Sequence, residues 1–430
     1  MFRIYLPAVL IACSAASTVW SNFVAAEDWP QWRGPDRSNR SVETGLFDAW
    51  GDAGPELEWI AKGVGEGYAS VSVANGRAFT TGNFENTQSA VAVDVATGKV
   101  IWRTPITDSV PKHGYDGSRT TPTVDEDRLY MVSSDGRIVC LQASDGEQVW
   151  SRDFDHWGGK MMSGWGFSES PLVDGDKVIC TPGGREAVMV CLDKRTGEAI
   201  WESKWPADRE QTDNLKNGAG YASAVISEGG GVRQYIQMVG QGLIGVRASD
   251  GQVLWVYDRV ANRVANIPTA IVDGDLVFAS TGYNTGSALL RLSAAGAEGR
   301  VDAEEVYWLD SRDLQNKHGG ITLVDGYVYC GHGNGSGLPI CVEMASGRIA
   351  WGPERAEGRG ETSMIAADGH LLMRRQDGTV LLVRANPDEF DLVGTMQPAV
   401  QEKKSWAHPV IANGRLYLRE QNQLMCYRLK

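Results

Sequence analysis

The stretch Asp145-Gly146-Glu147-Gln148-Val149-Trp150 decides the fold, because it keeps returning. Thr97-Gly98 is followed by Trp102, Thr196-Gly197 by Trp201, Asp250-Gly251 by Trp255, and Ser346-Gly347 by Trp351. The offset from Gly to Trp is four in all five copies. With Trp59 and Trp308 included, successive tryptophans stand 43, 48, 51, 54, 53 and 43 residues apart. A period of that length marks a repeat architecture. An alternating strand such as Ile138-Val139-Cys140-Leu141 runs ahead of each phrase. Further upstream, Thr121-Pro122-Thr123-Val124, Ser170-Pro171-Leu172-Val173 and His408-Pro409-Val410-Ile411 each lead into an Asp or Asn turn. One unit therefore reads strand, turn, strand, loop, strand, Gly turn, Trp strand. Four antiparallel strands in roughly 50 residues make a β-propeller blade.

The phrase has a structural chemistry. Gly takes positive φ in the hairpin turn without steric cost, and Thr, Asp or Ser before it bonds the turn backbone. The Trp covers a large area of the next blade and needs one acceptor for its N–H. Trp59, Trp102, Trp150, Trp201, Trp255, Trp308 and Trp351 are thus expected to dock blade on blade. Opening strands near Ser70, Thr121, Ser170, Ser223, Thr269, Gly320, Ser363 and His408 predict an all-β, eight-bladed propeller. The chain ends at Lys430 with three strands of the last unit, so segment 56–62 is expected to supply the fourth and close the ring. Unit seven carries Leu392 or Val393 in its Trp slot, and unit five has an insertion around Ala294–Asp302.

The Ala/Leu-x-x-x-Thr-Gly-x-x-x-Trp phrase resembles the tryptophan-docking repeat of the quinoprotein (PQQ) β-propellers, over roughly residues 56–430. The resemblance implies one of two roles. One is a PQQ-dependent alcohol, polyvinyl-alcohol or sugar dehydrogenase holding PQQ with calcium. The other is a non-catalytic envelope scaffold of the BamB type. The opening Trp29-Pro30-Gln31-Trp32-Arg33-Gly34-Pro35 is similar to the start of exported bacterial proteins with this repeat. Many enzymes of the first branch carry adjacent cysteines or a haem-binding Cys-x-x-Cys-His, and this sequence has neither. No catalytic residue carries over, and no metal site or cofactor is expected. The non-catalytic binding role is the preferred reading.

Charge and composition narrow the partners. Gly makes up 51 of 430 residues, well above the ordinary share. The formal net charge is −13, which argues against nucleic acid as a partner. Residues 1–26 hold Arg3, an apolar stretch and Val24-Ala25-Ala26, and read as a signal peptide. Leu10-Ile11-Ala12-Cys13 spells a lipobox, so a lipid anchor at Cys13 is the lesser alternative. Residues 27–55 form an N-terminal extension and 56–430 the propeller. The expected product is an exported monomer, periplasmic or secreted, without a transmembrane span. Cys180 with Cys191 and Cys330 with Cys341 fall on adjacent strands of one hairpin. Export permits two disulfides there; the other reading is that they pack as buried thiols.

Aligning the units places one residue per blade at the channel mouth, two before the Ser/Thr slot. These are Tyr68, Arg119, Ser168, Tyr221, Ile267, His318, Glu361 and Trp406. Rings, an Arg, a His and a Glu around one funnel suit a small ligand. Arg119 is expected to fork onto an anionic group. An envelope protein or a small anionic ligand at this mouth is the expected partner.

Overall fold

The computed structural model describes residues 1–2, 27–47, 50, 54–206, 217–296 and 299–430. The expected signal peptide and Cys13 lie outside the described residues, apart from Met1 and Phe2. Eight antiparallel blades surround one axis. They span 72–105, 123–153, 172–203, 225–257, 271–310, 321–351, 362–396, and 410–428 with Glu56–Lys62. Glu56–Lys62 pairs antiparallel with Gln423–Arg428, which closes the ring as expected. The first strands of the blades touch one another around the axis and line the channel.

Docking explains why the repeat keeps its Gly. Trp59 lies against Gly98 of blade 1, Trp102 against Gly146, Trp150 against Gly197, and Trp201 against Gly251. A Cβ on any of these glycines would come within 2.7 Å of the neighbouring indole. The glycine therefore serves its own turn, at φ of 68–78°, and the flat ring of the blade before it. Each of these indoles donates to a carbonyl of the next blade: Val95, Ala143, Lys194 and Ala248 in turn. Trp351 donates likewise to Asn386 O at 2.8 Å. Trp255 faces a blade without the Gly turn, and it donates to Gln234 Oε1 of its own blade.

Two slots differ from the sequence expectation. In blade 5 the residue in docking register is Tyr307, not Trp308. Tyr307 OH donates to Met344 O at 2.8 Å, and its ring lies on Gly347. Trp308 instead lies beneath the Arg259 guanidinium, 4.4 Å from its ring centre. Every docking slot lies just past a strand bulge, opposite the third strand; in blade 5 that position holds Tyr307, opposite Leu289, and its neighbour Trp308 points to the other face. In blade 7 the docking slot holds Gly394, and neither Leu392 nor Val393 occupies it. Trp50 of the N-terminal extension packs over Gly394 and fills the space of the missing indole.

The cysteines among the described residues are free and buried. Cys191 pairs across the hairpin with Ile179, and Cys180 with Val190. Cys341 likewise pairs with Tyr329, and Cys330 with Ile340. The two thiols of each hairpin thus point to opposite faces of the blade and enter different cores, so no disulfide spans them. Cys140, Cys191, Cys341 and Cys426 sit cross-strand from a docking Trp, where Ala92 stands in blade 1. They are small apolar packing under an indole.

The N-terminal extension is not an appendage. Trp29 pairs with Val73 of blade 1, and Val124 N of blade 2 donates to Pro30 O. Arg37 donates to Ser170 O, Pro171 O and Ala224 O of blades 3 and 4. Arg33 donates to Thr269 O and Ile321 O of blades 5 and 6. Asn39 Nδ2 donates to Met364 O, and Arg40–Ser41 runs parallel to Thr362–Ala367 of blade 7. Gly414 N of blade 8 donates to Glu43. Residues 29–43 therefore plug one end of the channel and touch all eight blades. Arg33, Arg37 and Asn39 all have positive φ, at 64°, 59° and 66°. That backbone is costly for non-glycine residues. Here it directs three side chains outward onto the carbonyls of the inner strands.

Candidate functional site

Above the plug lies a blind cavity of about 490 Å³, open at the opposite mouth. All eight residues aligned from the sequence line it: Tyr68, Arg119, Ser168, Tyr221, Ile267, His318, Glu361 and Trp406. The repeat register explains their convergence, since equivalent positions on the blades of a closed ring must form a ring. Trp32 of the plug also lines it and meets His408 edge-on at 4.6 Å.

The Ser/Thr slot below the ring is structural. Thr121 N donates to Ser170 Oγ, Ser170 N to Ser223 Oγ, and Ser223 N to Thr269 Oγ1. Each hydroxyl bolts its blade to the one before. Trp32 Nε1 reaches Thr269 Oγ1 as well, at 3.4 Å.

Arg119 does not present the expected fork. Its guanidinium donates to the carbonyls of Gly114, Tyr115, Gly117 and Trp165. It lies 3.2 Å from His113 Nδ1 and above the Tyr68 ring. With its donors engaged in the backbone, Arg119 positions the loop that carries Tyr115. It contributes positive charge to the wall without offering a free bidentate face. Burial lowers its pKa to about 10, so it stays charged at neutral pH.

Sequence alignment missed the cations that remain available. Lys317 and Lys404 line the cavity beside His318 and near Trp406. Lys404 Nζ sits 4.5 Å from the Tyr115 ring centre and 4.7 Å from that of Trp406. Lys317 Nζ sits 5.0 Å from the Tyr283 ring centre and 3.4 Å from Glu361 Oε1. Tyr115, Trp165, Tyr283 and Gln376 also line the wall from loops that vary in length between blades. Their one sequence signal is proximity: Lys317 adjoins His318, and Lys404 stands two residues before Trp406.

The titratable groups are held out of water. His318 Nε2 lies 2.9 Å from Trp406 O, and burial pushes the ring down to about 4, hence neutral. His408, stacked 5.6 Å from His318, is also held well below its ordinary value by burial and by its charged neighbours. Glu361 is 5 % exposed; burial raises its pKa, while Lys317 pulls the other way. Tyr221 OH and Ser163 Oγ share a hydrogen bond of 2.7 Å.

Calcium does not fit this donor set. It takes 6–8 oxygen ligands. The wall offers one carboxylate, Glu361, beside a lysine, and Gln376 Oε1 already accepts from Trp406 Nε1. Among the described residues no group of His, Cys, Asp and Glu is arranged to hold a metal ion. No helix there is long and apolar enough to cross a membrane.

The family model described as outer membrane protein assembly factor BamB matches residues 86–353. A BamB from Alteromonas naphthalenivorans is 28% identical over 120 residues, 26% of this chain and 28% of its own length. A polyvinylalcohol dehydrogenase of a Pseudomonas species is 23% identical over 289 residues, 59% of this chain and 44% of its own. A quinoprotein ethanol dehydrogenase of Pseudomonas aeruginosa is 27% identical over 195 residues, covering 40% and 30%. The matches thus span less than half the length of each of these relatives. Among solved structures, BamB from Moraxella catarrhalis aligns with a TM-score of 0.60 at 12% identity, covering 87% of this chain and 99% of that one. A quinohemoprotein alcohol dehydrogenase from Comamonas testosteroni gives 0.62 at 13% identity, covering 94% and 80%. These structural likenesses establish the propeller fold. The matched model covers more than half of the repeat-bearing sequence, and the chain belongs to the PQQ-like β-propeller family that this model, described as outer membrane protein assembly factor BamB, represents.

Proposed function

We propose that the protein is an exported, non-catalytic binding propeller of the bacterial cell envelope. It holds a small anionic ligand in the mouth cavity and presents the surrounding loops to an envelope protein. The carrying observation is the charge of the cavity wall. Arg119, Lys317 and Lys404 face Glu361 alone, on a chain whose formal net charge is −13. The wall reverses the sign of the molecule at one enclosed place, where low dielectric strengthens attraction. The plug supports the same reading, since a blind cavity retains a ligand and passes nothing through. The envelope setting and the protein partner are supported by the description of the family and by its BamB relative.

The second reading is a PQQ-dependent alcohol or sugar dehydrogenase. The polyvinylalcohol and ethanol dehydrogenase relatives favour it. The donor set of the cavity speaks against its calcium. Calorimetric titration with PQQ and CaCl₂, followed by a dye-linked alcohol oxidation assay, separates the two. The expected outcome is no calcium-dependent uptake and no turnover. Saturable uptake that needs calcium, with turnover, overturns the binding role.

A further inference from the structure

We infer that the mouth cavity takes an acidic sugar, a hydroxyl-bearing ring that carries a carboxylate. The inference rests on the reading of the cavity as a ligand site and names the class of that ligand.

The wall has filled its own cation positions. Aromatic faces attract ammonium groups. Here Lys404 already lies over Tyr115 and Trp406, and Lys317 over Tyr283. A cationic ligand would meet rings already in use and two like charges. The lysines themselves have capacity left, because an ammonium carries three donors. The hydrogen bond of Lys404 Nζ is to Tyr115 OH at 3.3 Å, and Lys317 Nζ is 3.4 Å from Glu361 Oε1. A carboxylate is the matching acceptor.

Glu361 adds the second requirement. Its side chain is 5 % exposed, and Oε1 makes no hydrogen bond, its one charged contact being Lys317 Nζ at 3.4 Å. A buried carboxylate is costly unless hydrogen-bonded, and in its ionised form it accepts only. A ligand that completes it must bring donors, which sugar hydroxyls supply. An aromatic acid satisfies the lysines and brings Glu361 a second negative charge. A neutral sugar serves Glu361 and leaves Lys404 without an anion. Lys317, Glu361 and Lys404 come from consecutive interblade loops and form one arc of the wall, so a single ring can meet all three. The C–H faces of such a ring pack on the indole and phenol faces around it.

The test is calorimetric titration of the full chain at pH 7 and low salt with D-glucuronate, D-glucose and benzoate, and with PQQ as a fourth probe. Glucuronate should bind saturably, and glucose and benzoate at least about tenfold more weakly, the weight of one hydrogen bond to a charged group. Lys404→Met should lower glucuronate affinity by about tenfold or more. Glu361→Gln should weaken glucuronate and leave benzoate no weaker. Benzoate equal to glucuronate, or PQQ binding alone, overturns the sugar acid and keeps an anion site. Glucose equal to glucuronate overturns both the acid and the anion reading. Absence of binding by all four probes to a folded protein also overturns both.

Discussion

At the closed end of the channel, Arg33 and Arg37 reach five backbone carbonyls on four blades. At the mouth, Lys317 and Lys404 hold positions over aromatic rings and keep donors to spare. Both ends combine cations with tryptophans, and both are formed by the inner strands of one ring. The difference lies in hydrogen-bond completion. A buried cation whose donors end on carbonyls fixes geometry, whereas one facing a ring and a cavity is available to a ligand. Arg119 shows that the distinction is not simply one of place. It lines the mouth but, like the plug arginines, ends on backbone carbonyls.

The sharpest way to break this comparison is Arg37→Met. It leaves Ser170 O and Ala224 O without donors, each costing about 1–3 kcal/mol, while Pro171 O keeps Thr123 Oγ1. Denaturant unfolding should therefore show a loss of roughly 2–6 kcal/mol; a loss under 1 would mean that the plug does not hold the ring. Trp201→Ala should cost about 3–5 kcal/mol, as removal of a large docked side chain. Trp50→Ala should cost less, about 2 kcal/mol, because Trp50 is partly exposed over Gly394. An equal loss for these two would show that the borrowed indole is as firmly docked as a native one.

Acid should weaken the mouth side specifically. His318 is held neutral with its pKa pushed down to about 4, and His408 is also lowered. Both lie below the unfolded value near 6.5. The unfolded chain then binds protons first, so stability falls as pH drops from about 6.5 toward 4. His318→Gln should flatten that part of a pH-melting profile; an unchanged slope would mean that other groups carry it. The smallest expected effect is that of Lys404→Met on folding, under about 1 kcal/mol, since it is a half-buried rim cation with a single hydrogen bond, to Tyr115 OH. A larger loss in thermal melts would make Lys404 a structural residue like Arg119.

Five tryptophans and five glycines at one offset were enough to derive the blade; the eight opening-strand signatures and the three-strand last unit led to the count of eight and the closure by 56–62. The ring of eight mouth residues followed from the same period. Local sequence determines these because most blades solve the same problem, a Gly turn against a neighbour's flat ring. Tertiary structure decided whatever depends on register or on distant segments. Tyr307 docks in place of Trp308 because cross-strand pairing sets Tyr307, not its neighbour, opposite Leu289 just past the bulge. Cys180 and Cys191 stay apart because cross-strand pairing sets them on opposite faces. Trp50 reaches Gly394, and Arg37 reaches Ala224, across separations that no repeat encodes. Both terminal nitrogens of Arg119 end on carbonyls while Lys404 keeps donors, because loops of unequal length bring carbonyls to one and aromatic rings to the other. A side chain's chemistry is written in the sequence, but its free hydrogen-bonding capacity depends on which neighbours the fold delivers.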